Sequence, residues 1–189
     1  MKTLKNLSIL FISALVFTAC SSDDDNPEPV NEEEVITTLT ATLVPVGGGT
    51  TITLQTQDLD GDGPNDPEIT VSGALAANTT YNGTLELLNE TESPAESINE
   101  EIEEEDEDHQ FFFQITNSLA TFTYDDFDED GNPVGLEFTV TTDDTTGAGT
   151  LTITLRHEPS KSANGVSDGD ITNAGGETDI QAVFSISVK

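Results

Sequence analysis

The apolar positions of this 189-residue chain fall in short alternating runs. In the first, Leu39, Ala41 and Leu43 share one side while Thr38, Thr40 and Thr42 share the other, the period-two spacing of a strand with one buried face. Pro45 and Gly47-Gly48-Gly49 interrupt the run and Ile52 and Leu54 resume it, which predicts a β-hairpin. Further runs cover residues 69–71, 81–88, 109–116, 119–124, 136–142, 151–157 and 180–188, with Gly, Asp, Asn and Pro between them.

Nine short strands with turn signals between them predict an all-β domain, an antiparallel β-sandwich of immunoglobulin-like or transthyretin-like kind. With one Cys and no Trp, the Cys-Trp-Cys pattern of true immunoglobulin domains is missing. A single segment departs from alternation. Ser93-Pro94-Ala95-Glu96 reads as a capping box with Pro at the first helical position, and Ala95, Ile98 and Ile102 form one stripe. This predicts a short acidic helix, inserted between strands, from about Pro94 to about Asp106.

Charge changes the picture. Thirty-seven acidic residues face five basic ones, a net charge of −32, and no Lys or Arg lies between Lys5 and Arg156. Such a surface repels nucleic-acid phosphates and anionic headgroups, which excludes nucleic acid as a partner. Low hydrophobicity with high charge also marks disorder, but the regular alternation argues for a folded domain with acidic loops. Eight of the nine residues from Glu100 to Asp108 are carboxylates, crowded where a helix dipole favours cations, so something must compensate them.

A bound cation is one answer. Glu101, Glu105 and His109 recur at spacing four and would project from one side of a continued helix, a donor set suited to zinc or copper. His157 continues the inward register of Leu151, Ile153 and Leu155, with Arg156 facing the other way, and could complete a site with His109, the only other His. Two Asp-rich loops suggest calcium instead. Asp126, Asp128, Asp130, Gly131 and Glu137 match the EF-hand loop formula, although the flanking segments alternate as strands and favour a plain hairpin turn. Asp58, Asp60 and Asp62 resemble the loops of dockerins and thrombospondin type 3 modules, without a Glu at the twelfth position.

The N-terminus carries an address. Lys2 and Lys5, an apolar stretch from Leu7 to Phe17, and the small residues Thr18 and Ala19 precede Cys20, the three-part pattern of a signal peptide. Val16-Phe17-Thr18-Ala19-Cys20 resembles the lipobox of bacterial lipoproteins, with Phe17 where Leu is usual. The resemblance implies cleavage before Cys20, lipidation of Cys20, and a membrane anchored through its acyl chains. Ser21-Ser22-Asp23-Asp24-Asp25 looks like the export signal of surface-exposed lipoproteins of the Bacteroidetes, and the whole chain resembles a small flavobacterial-type surface lipoprotein with one β-sandwich. The expected organisation is a signal peptide over 1–19, a lipidated Cys and acidic tether over 20–34, and the domain over 35–189.

The resemblance implies a location, at the outer membrane and exposed on the cell surface. No Ser-His-Asp spacing, phosphate loop or nucleophile elbow is visible, so the leading expectation is a non-enzymatic binding or accessory module. It would engage a divalent cation, a small ligand or a neighbouring outer-membrane protein. A structural or adhesive domain with loop-stiffening calcium is the alternative, and a metal-dependent enzyme comes after it.

Overall fold

The computed structural model describes residues 34–61 and 63–189; the expected signal peptide, Cys20, most of the expected tether and Asp62 lie outside the described residues. Alternation became strands almost throughout. The chain runs β1 (Thr38–Pro45), β2 (Ile52–Gln57), β3 (Glu68–Val71), β4 (Thr80–Asn89), β5 (Glu96–Ser97), helix α1 (Asn99–Glu104), β6 (His109–Ile115), β7 (Thr121–Tyr124), β8 (Glu137–Thr141), β9 (Gly147–His157) and β10 (Glu177–Val188). One sheet has the order β3-β2-β1-β4-β8-β7, with β5 paired to β4, and the other the order β10-β9-β6. All strand pairs are antiparallel, and the fold is an all-β sandwich.

The core is the inward half of each alternation. Leu39, Ala41, Leu43, Leu54, Leu85, Leu87, Phe138 and Val140 from the large sheet meet Phe111, Leu151, Ile153, Leu155, Phe184 and Ile186 from the small one. Each large side chain taken out of water contributes about 1.5–3 kcal/mol, so this layer drives folding despite the charged surface. Gly83 leaves room for a neighbour: a Cβ there would stand 2.4 Å from the Phe138 ring.

The helix corrects the sequence expectation. Residues 93–95 are not helical; Glu96 and Ser97 add a short strand to β4, and the helix starts only at Asn99. Asn99 takes the decisive bonds: its Oδ1 accepts from Leu87 N at 2.7 Å and its Nδ2 donates to Leu85 O at 2.9 Å, tying the first turn to β4. Pairing of Leu88 with Ser97 thus outcompetes the local capping signal at Ser93. Ile98 and Ile102 are buried as the stripe requires, while Ala95 is exposed. The helix ends at Glu104, and a 3₁₀ turn over Asp106–Asp108 hands the chain to β6.

Residues 158–176 fold over the outer face of the small sheet, where Val166 and Ala174 cover Phe112. This segment carries Lys161, which answers the crowding of carboxylates at the helix end. Its ammonium donates to the carbonyl of Asp106 and, at 3.0 Å, to Asp128 Oδ2, and both side chains of that ion pair are buried.

Candidate metal centre

Three strand ends meet at one end of the sandwich. His109 opens β6 and stands directly opposite His157, which closes β9. Their rings lie 4.5 Å apart at 44°. His157 keeps the inward register of Leu155, and the 3₁₀ turn after the helix sets the start of β6 at His109. Glu34, just ahead of β1, bridges one nitrogen of each ring with its carboxylate: Oε1 is 3.0 Å from His109 Nε2, and Oε2 is 3.5 Å from His157 Nδ1. Glu105, at the helix C-terminus, supplies the fourth side chain. One ligand atom from each of Glu34, Glu105, His109 and His157 lies within 4.8 Å of the other three.

The hydrogen bonds fix the chemistry of His109. Its Nδ1 is 3.0 Å from the carbonyl oxygen of Glu105. A carbonyl only accepts, so Nδ1 carries the proton and Nε2 faces Glu34. A neutral ring would therefore aim a lone pair at a carboxylate, an arrangement that calls for a positive charge between them, either a second proton or a metal ion. Glu34 makes the same demand from its other oxygen: its side chain is 1% exposed, and Oε2 has no hydrogen-bond partner among the described residues. A carboxylate held this way away from water is costly unless paired. A His fixed through one nitrogen by a backbone carbonyl, with the other turned to an acidic group, is the usual posture of a metal ligand and its outer support.

The expected residues were partly gathered. Glu105, His109 and His157 come together as anticipated, but not on one helical face. The helix has ended before Glu105, whose φ of −114° and ψ of 38° turn the chain away, and His109 arrives on a strand. Glu101 is left outside the group, exposed on the helix. Its carboxyl is pushed above the usual carboxylate range by partial burial and then by the charges of Glu34, Glu105 and Glu96, against a lowering contribution from His109. Glu34 takes its place. By sequence Glu34 falls in the expected tether, since three consecutive Glu beside Pro-rich sequence carry no periodicity; in the structure its carboxylate is buried against the nitrogens of the two His rings.

The Asp-rich loops do not form comparable groups among the described residues. Asp126 accepts from the backbone N–H groups of Gly135 and Leu136, both at 2.8 Å, and Asp128 accepts from Asn132 N and from Lys161. A bridge between Phe127 and Pro133 makes the loop a hairpin, leaving Asp130 and Glu137 exposed. Of the carboxylates expected to hold calcium, Asp126, Asp128, Asp130 and Glu137, the structure turns Asp126 to backbone N–H groups and Asp128 to the Lys161 ammonium. In the other loop Asp58 Oδ1 accepts from Asp60 N, and Asp60 from Asn65 Nδ2, with Asp60 at the surface. A cleft of about 420 Å³ opens at the opposite end of the sandwich, lined by Pro45, Ile52, Leu75, Tyr81 and Lys189 among others; it holds no group of ligand side chains.

Gly176 matters to the centre. Its φ is +67°, and a Cβ there would lie 2.1 Å from the carbonyl oxygen of His157. Gly176→Ala is expected to displace the end of β9 and to destabilise the domain by more than about 1 kcal/mol, the usual scale for a strained left-handed residue. A denaturant midpoint equal to that of the parent chain would contradict this.

No protein-family model, curated protein or solved structure matches the chain. The functional reading therefore rests on the geometry of this centre and on the N-terminal sequence.

Proposed function

We propose that the chain is a lipid-anchored surface protein of the outer membrane whose β-sandwich is a non-enzymatic module binding one divalent transition-metal ion. Glu34, Glu105, His109 and His157 are the ligands. The observation that carries this reading is the buried Glu34 carboxylate, which bridges a nitrogen of each imidazole and has one oxygen lacking a hydrogen-bond partner among the described residues. A metal ion would serve both oxygens and the Nε2 of His109 at once. Two imidazoles with carboxylates suit zinc and its neighbours in the first transition row, whereas calcium takes oxygen ligands only. With metal bonds of about 2.0–2.1 Å, ligand atoms stand roughly 3.4 Å apart around a tetrahedral ion, so modest side-chain rotation closes the present set.

Glu105 is the exposed member and also lines an acidic concavity formed by Glu103 to Asp108 and Glu129. This gives the acidic run a role as the approach to the centre, where a negative potential concentrates cations. The anchor rests on the lipobox-like sequence ending at Cys20.

Equilibrium dialysis tests the binding reading. Zn²⁺ and Co²⁺ are expected to bind at one ion per chain with Ca²⁺ failing to compete, and His109→Ala and Glu34→Gln each to weaken binding tenfold or more, on the order of the loss seen for metal-site partners. Retention of Ca²⁺ in preference to Zn²⁺ would sink it.

A further inference from the structure

Asp179 stands at an irregularity in the small sheet. Glu177 pairs with His157 and Thr178 with Arg156, but Ile180 already pairs with Leu155, so Asp179 is the extra residue of a β-bulge. Strict alternation from the buried Ala182 through Ile180 would turn Asp179 outward to solvent. The bulge turns it inward: its side chain is 1% exposed, and Oδ1 lies 3.7 Å from His157 Nδ1. Bulges commonly re-aim one side chain beside a functional site.

We infer that Asp179 is a fifth ligand of the metal centre, an inference that rests on the function proposed above. The side of the ring it faces decides between ligand and support. A supporting group holds the nitrogen turned away from the metal, as the Glu105 carbonyl holds Nδ1 of His109 while Nε2 faces Glu34. On His157 it is Nδ1 that faces Glu34, and Asp179 approaches that same nitrogen. Asp179 therefore lies on the metal side. Oxygens 3.5 and 3.7 Å from Nδ1 are within a few tenths of an ångström of the roughly 3.4 Å between neighbouring ligands on a zinc-sized ion.

The donor set becomes two imidazole nitrogens and three carboxylates. Three negative charges hold a divalent ion firmly, and five donors exceed the four of a closed tetrahedral site. The centre suits borderline divalent ions that accept five or six ligands, such as Mn²⁺, Fe²⁺, Co²⁺ and five-coordinate Zn²⁺.

Co²⁺ is the probe, since its visible absorption is weak with five or six ligands and strong in a tetrahedron. The full chain is expected to bind Co²⁺ with the weak spectrum. Asp179→Asn and Asp179→Ala are expected to lower affinity about tenfold or more and to intensify the absorption as a ligand is lost. Melting without metal checks that both variants fold. Wild-type affinity in both variants, or lower affinity with an unchanged spectrum, overturns the ligand role while leaving the four-ligand centre standing. Failure of the parent chain to take up Co²⁺ or Zn²⁺ overturns the centre itself, and Asp179 with it.

Discussion

Zinc added to the metal-free domain is expected to raise its unfolding midpoint by on the order of 10 °C. The size follows from linkage: an ion that binds only the folded chain stabilises it by about 4.1 kcal/mol when the free ion is a thousandfold above its dissociation constant. At roughly 2–4 °C per kcal/mol for a domain of this size, the shift is large. The effect should be reversed by a chelator and lost in His109→Ala. In Glu34→Gln the bridging charge is gone but the shape is kept, so the midpoint without metal should hold or rise while the response to zinc shrinks. A melting curve that ignores zinc, cobalt and chelator alike would mean that protons, not a metal, fill the space between Glu34 and the two rings.

Lys161→Ala is the second large effect. The ammonium is buried, and it serves both the Asp106 carbonyl in the 3₁₀ turn after the acidic helix and the Asp128 carboxylate in the hairpin after β7. Removing one partner of such a pair strands the other charge away from water, a loss of about 3–5 kcal/mol. That is a large part of the roughly 5–15 kcal/mol that holds a typical domain folded. Chemical denaturation should show it as a fall in midpoint. Lys161→Met with Asp128→Leu, which removes both charges, should destabilise less than Lys161→Ala alone; equal or greater loss would mean that the pair is not what stabilises this corner.

Acid should act through the same pair. Burial by itself raises the Asp128 carboxyl, but the hydrogen bonds from Lys161 and Asn132 and the charge of Lys161 outweigh it and hold the group below its ordinary value. A carboxyl lowered on folding stabilises the fold fully above its unfolded value, about 3.9, and that contribution fades as pH falls through the lower folded value. The parent chain should therefore lose stability below about pH 4 more steeply than Lys161→Met, measured as denaturant midpoint against pH.

The strands were legible because alternation is local. Leu39, Ala41 and Leu43 declare a buried face whatever lies across from them, and the same holds for Leu151 to Leu155. The helix start was misread for the opposite reason: Ser93-Pro94-Ala95-Glu96 is a sound local signal, yet Glu96 and Ser97 pair with β4, and Asn99 finds backbone partners on that strand. Lys161 and Glu34 carried no signal of their own, one a lone Lys in a loop and the other the last of three Glu.

The sequence by itself determined the β-rich architecture, the inward register that buries His157 and the surplus of negative charge. Only the tertiary structure decided where that charge is answered. Register across β6 and β9 set His109 against His157, the approach to β1 laid the Glu34 carboxylate across a nitrogen of each, and a bulge in β10 turned Asp179 toward Nδ1 of His157. The physical reason is that alternation fixes which side of a strand a residue faces, whereas the identity of its neighbour depends on pairings between segments far apart in the chain, such as Glu34 and His109.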